Sequence, residues 1–69
     1  PEKALVYFDR YLENAGPLEV DALHGKSSAL RMLGRIDQEK QTLEKLVREF
    51  PQYPAAESAA KRISEIQNK

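Results

Sequence analysis

The chain has 69 residues, with eleven Lys and Arg balanced by eleven Asp and Glu, and no cysteine. Its length allows one small domain at most, and the even charge gives no electrostatic reason to expect DNA, RNA or an anionic membrane as the main partner. Without cysteine, disulfides and thiolate chemistry are excluded, and no apolar run approaches the ~20 residues needed to cross a bilayer.

The first predicted helix runs from Glu2 to Ala15, with Leu5, Phe8, Tyr11 and Leu12 on one face. Gly16 is expected at its end with positive φ, and Pro17 prevents continuation. The second helix spans 18–33. Leu23, Leu30 and Leu33 form its apolar stripe, with Ala22 and Ala29 beside them, and Gly34 terminates it. The third is expected from Asp37, as N-cap, to Phe50, with Ile36 packing back as a staple. Its face is Ile36, Leu43, Leu46, Val47 and Phe50, and Pro51 stops it. The fourth opens at Pro54, which suits a first helical turn, and runs to Gln67 over Ala56, Ala59, Ala60, Ile63 and Ile66. No stretch alternates like a strand. Connections of about two to four residues imply antiparallel hairpins. Leu30, Leu33, Leu43, Leu46 and Phe50 are the expected core. Four surface pairs have helical spacing: Glu44–Arg48, Lys45–Glu49, Glu57–Lys61 and Lys61–Glu65.

Gly25-Lys26-Ser27-Ser28-Ala29 is the most informative local segment. A glycine inside a helix costs about 1 kcal/mol relative to alanine. Close approach of a neighbouring helix offsets that cost and is the favoured reading; a kink is the alternative.

Phe8-Asp9-Arg10-Tyr11-Leu12-Glu13-Asn14 answers to Leu43-Glu44-Lys45-Leu46-Val47-Arg48-Glu49 at a separation of about 35 residues, within the range of helical tandem repeats. Asp21-Ala22-Leu23, then Leu33-Gly34-Arg35, then Leu43 to Pro54 resembles the tetratricopeptide repeat. The variant it most resembles is common in bacterial envelope proteins, where a helix ends in a Leu-x-x-Leu-x-x-Glu-Tyr/Phe-Pro phrase. The resemblance implies an all-α fold of about four helices in a right-handed stack of antiparallel hairpins. Residues 1–16 would be the second helix of one repeat, 18–50 a complete repeat, and 54–67 a capping helix. A start at Pro1, without Met or signal peptide, reads as a piece of a longer protein. A bacterial periplasmic or envelope location follows from the resemblance alone. Ser27 stands where the family usually has glycine. Glu39 stands where it usually has a small alanine, so Gln38-Glu39-Lys40-Gln41 is expected to splay outward or face another chain.

Chemistry is sparse. His24 is the single histidine; Asp21 lies one turn before it, but no second histidine, cysteine or HExxH motif accompanies them. Ser27 and Ser28 lack a nucleophile-elbow context, and Gly25-Lys26-Ser27 lacks the upstream glycine-rich loop of a phosphate cradle. The expectation is a protein that is not an enzyme and needs no cofactor or metal. In tetratricopeptide arrays the first helix of each repeat lines a concave groove for a partner's peptide or helix. By resemblance, Asp21, His24, Ser28 and Arg31 would face that groove, with Lys61 and Glu65 continuing it. The competing reading makes these six the solvated face of amphipathic helices.

The expected function is therefore non-catalytic protein–protein interaction, with a protein or peptide partner, no nucleic acid and no membrane insertion. The alternative is a structural self-association module. In it, the apolar edges of the first and fourth helices, with the irregular start of the third, bury against a second copy. A small DNA-binding helical domain is the weaker rival, because the second helix carries only Lys26 and Arg31 as basic residues.

Overall fold

A computed structural model of the chain describes residues 1–14 and 16–68. Four α-helices follow one another: α1 (Glu2–Glu13), α2 (Glu19–Met32), α3 (Ile36–Glu49) and α4 (Pro54–Gln67). No strand occurs among the described residues. The all-α expectation and the four helices hold.

Each helix end has a chemical cause. At Gly34, φ is +75°, a left-handed conformation that costs L-residues about 1–2 kcal/mol. That geometry lets Gly34 N–H donate to the Arg31 carbonyl (3.0 Å) and Arg35 N–H to the Leu30 carbonyl (2.9 Å). This is the Schellman closure, and it satisfies two carbonyls that helix termination would orphan. A Cβ on Gly34 would meet nothing within 4 Å, so the cost of a side chain there is conformational only. Gly34→Ala is expected to lose about 1–2 kcal/mol, read as a lower urea midpoint with an unchanged slope. Equal midpoints would show that the turn relaxes into another conformation.

At the other end of the molecule, Tyr53 is extended (φ −83°, ψ 143°) and α4 begins with Pro54 in its first turn. Steric conflict with the proline ring drives the residue before it out of the helical region. α3 closes just before Pro51, with Phe50 N–H donating to the Leu46 carbonyl at 2.9 Å.

Several expected boundaries shift. α1 ends at Glu13, and Asn14 N–H donates to the Tyr11 carbonyl; the expected end at Ala15 lies outside the described residues. Gly16 instead seats Tyr11, whose hydroxyl accepts the Leu18 N–H at 2.8 Å. A Cβ on Gly16 would stand 2.7 Å from that hydroxyl. α3 starts one residue early, at Ile36. Asp37 lies inside its first turn and is not the N-cap; Arg35 holds that place without a side-chain bond. Asp37 still favours the positive end of the helix dipole.

Leu23, Leu43, Leu46, Ala56 and Ala59 form the buried cluster. Leu12, Val47, Phe50, Ile63 and Ile66 pack around it, half-buried. Leu30 is buried as well. Leu33 and Phe50, expected in the core, are only half-buried. Both are C-cap residues beyond the last helical turn, and Phe50 turns an edge to Tyr53, with ring centroids 5.7 Å apart. None of the four helical-spacing surface pairs closes within 4.0 Å; among the described residues the ion pairs formed are Lys26–Asp9 (2.9 Å), Arg35–Glu2, Arg48–Glu49, Arg62–Glu39 and Arg62–Glu65.

Consecutive helices pack on one another, and non-consecutive pairs touch at most marginally. The Cα radius of gyration, 11.3 Å, matches the ~11 Å expected of a compact chain of this length. Gly25 settles the question its sequence context posed. A Cβ there would collide with the Phe8 ring, so the glycine serves close packing of α1 on α2, and α2 runs unbroken through it.

Candidate functional site

His24, Ser28 and Arg31 stand at i, i+4 and i+7 on α2, so helical geometry puts them on one face. That face overlooks a niche completed by Glu39 and Leu43 from α3 and by Ser58, Ala59 and Arg62 from α4. The niche holds about 180 Å³. Pockets for drug-sized ligands or cofactors run roughly 300–1,000 Å³. This one fits a side chain rather than a whole small molecule.

Its floor is an ion pair between two helices. Glu39 is 2% exposed. Arg62 Nε donates to Glu39 Oε2 at 2.7 Å and Arg62 Nη2 to Glu39 Oε1 at 3.1 Å. Two parallel charge-assisted bonds of this kind are the strong form of the Arg–carboxylate contact. Arg62 Nη1 also donates to Glu65 Oε1 at 3.3 Å. The hydrogen bond to Glu39 is the main cause that raises the guanidinium pKa above its already high ordinary value. Arg62 therefore stays charged at every pH at which the protein folds, and it holds both oxygens of Glu39. This overturns the expectation that Gln38-Glu39-Lys40-Gln41 splays outward. Gln38 and Gln41 are exposed, but Glu39 turns inward because Arg62, one helix away, supplies the countercharge.

The niche wall is also fully bonded. Ser27, buried at the family's glycine position, donates its hydroxyl to the His24 carbonyl at 2.7 Å. Among the described residues no buried side-chain polar atom lacks a partner. The free functionality sits at the rim. His24, Ser28 and Arg31 are exposed, and Arg31 has no ion pair among the described residues. Arg31, Arg62 and Glu39 together leave the niche with one net positive charge.

The six groove residues thus divide. His24, Ser28 and Arg31 come together at the niche. Asp21 lines a separate depression with Tyr7, Phe8, Tyr11, Leu18 and Ala22. Lys61 is exposed and does not line the niche, and Glu65 reaches it only through Arg62. Sequence reasoning missed Arg62, Ser58 and Leu43 as lining residues. Glu39 carried a signal, an acid where a small residue is usual, but its partner lies 23 residues away. No cluster of three metal-ligating side chains exists among the described residues, and no helix is long and apolar enough to cross a membrane.

No protein-family model, no curated protein and no solved structure matches this chain.

Proposed function

We propose that the chain is a non-catalytic protein–protein interaction module of tetratricopeptide-like build, whose α2–α3–α4 niche receives a side chain from a peptide or helix of a partner. The carrying observation is the convergence of exposed His24, Ser28 and Arg31 over a floor already neutralised by Glu39 and Arg62. A carboxylate with both oxygens held by one guanidinium is a rigid platform for recognition. Arg31 supplies a planar fork of donors suited to a peptide carboxylate or backbone carbonyl. The tetratricopeptide-like reading draws support from consecutive helix packing and from the Leu43 to Pro54 phrase.

The test is selection of binders from a random peptide library, followed by titration of the enriched peptide. His24→Ala/Arg31→Ala is expected to weaken binding about tenfold or more, one strong hydrogen bond to a charged group being worth ~1.5–3 kcal/mol. Its melting curve should match the parent's or rise slightly. Glu44→Ala/Lys45→Ala, on α3 but outside the niche lining, should leave binding unchanged. The opposite pattern would place the binding surface elsewhere.

A further inference from the structure

The niche between α2, α3 and α4 leaves one kind of group unpaired. Its lining holds two guanidinium groups, Arg31 and Arg62, and one carboxylate, Glu39. Glu39 and Arg62 consume each other, because both carboxylate oxygens accept from Arg62, at 2.7 and 3.1 Å. Glu65 meets Arg62 at 3.3 Å from outside the lining, and its side chain is 63% exposed, so water screens its charge. Arg31 is left as an exposed cation with no ion pair among the described residues. The hydroxyls of Ser28 and Ser58, also in the lining, make no hydrogen bond among the described residues. A guanidinium can only donate, and a hydroxyl has a proton to donate. The unspent groups of the niche are therefore donors around one positive charge.

We infer that the side chain received here is acidic, a glutamate or aspartate within the partner's chain, with its carboxylate on Arg31; this rests on the reading of the niche as a side-chain receptor. Charge selects it. A lysine or arginine would meet the Arg31 guanidinium and find the single carboxylate of the lining already taken. A neutral amide would leave the Arg31 charge uncompensated. A phosphorylated residue brings roughly 1.5–2 negative charges against one unpaired guanidinium, so its second charge has no counterpart. A carboxylate brings one, and its two oxygens match the planar fork of Arg31.

Size and lining refine the choice. The niche, about 180 Å³, has room for one side chain, whereas a chain end would bring its carboxylate and its last side chain together. Leu43 and Ala59, both buried, supply the apolar part of the wall. Methylene groups pack against such a wall, which favours glutamate over the shorter aspartate. Helix geometry then separates the two rim residues. His24 precedes Arg31 by seven positions, roughly 10 Å along the axis of α2, and one carboxylate cannot touch both. Arg31 reads the acid, and His24 meets a neighbouring part of the partner.

Selection from a synthetic random peptide library with both chain ends blocked should enrich peptides that share one glutamate or aspartate. In the tightest of them, glutamine in place of that acid should raise the dissociation constant about tenfold. Arg31→Gln in the protein should do the same to the acidic peptide. The two losses should not add, because each removes the same contact, so the glutamine peptide should bind the parent and Arg31→Gln alike. His24→Ala should leave the ratio between the acidic and glutamine peptides unchanged, and phosphoserine in the acid's place should bind more weakly. Binders that contain no acid yet are lost in His24→Ala/Arg31→Ala overturn the acidic assignment and leave the receptor reading standing. So do additive losses or tighter binding of phosphoserine. An absence of binders, or binders indifferent to His24→Ala/Arg31→Ala, overturns both.

Discussion

Leu46→Ala is expected to leave much of the protein unfolded at room temperature. Leu46 has no measurable exposure and sits at the centre of the cluster of Leu23, Leu43, Ala56 and Ala59. Truncating a buried leucine costs ~2–5 kcal/mol, the lost transfer free energy plus a cavity term. Domains are stable by about 0.05–0.15 kcal/mol per residue, or roughly 3–10 kcal/mol for this chain. The substitution therefore removes a large share of the whole. Ala56 and Ala59 opposite are too small to lean in and close the gap. Far-UV circular dichroism against urea measures it: the helical baseline should be short or absent. Phe50→Ala serves as the comparison. Phe50 is half-buried at the helix end, so its loss should cost less than that of Leu46. The reverse order would place the true core at the α3–α4 turn.

Arg62→Met is the second large effect, and its interest lies in asymmetry. The substitution strands the Glu39 carboxylate, which is 2% exposed and makes no other hydrogen bond or ion pair among the described residues. Uncompensated burial of the Glu39 charge costs about 3–5 kcal/mol. Glu39→Leu is milder, because Arg62 keeps Glu65 at 3.3 Å and its side chain retains 16% exposure. Glu39→Leu/Arg62→Met together should recover most of the loss or exceed the parent, since a well-packed apolar pair often equals or betters a buried ion pair. A double-mutant cycle by urea denaturation gives the coupling. Three additive losses would mean that the bidentate pair does not form in solution.

If the double variant is stable, a question about the niche becomes accessible. The floor would have lost its charges while His24, Ser28 and Arg31 stayed on the rim. Binding retained there would assign recognition to the rim, and binding lost would assign it to the Glu39–Arg62 platform.

The sequence by itself determined the helices and their breaks. Gly34, Pro51 and Pro54 act through their own backbone restrictions, within one or two residues of the ends they set. Leu23, Leu30, Leu43 and Leu46 recur at helical spacing, and burial follows that spacing. The clustering of His24, Ser28 and Arg31 was legible for the same reason, since all three lie on one helix. What the tertiary structure decided joins residues on different helices. Glu39 reads as a surface acid until Arg62, 23 positions later, is brought against it. Asp21 reads as one more residue of the groove until the packing of α1 on α2 places it in a depression with Tyr7, Phe8 and Tyr11. The exposure of Val6 and Tyr7 on α1 is likewise invisible to a periodic pattern. Spacing gives a helix an apolar face, but only the packing of its neighbours decides whether that face is covered.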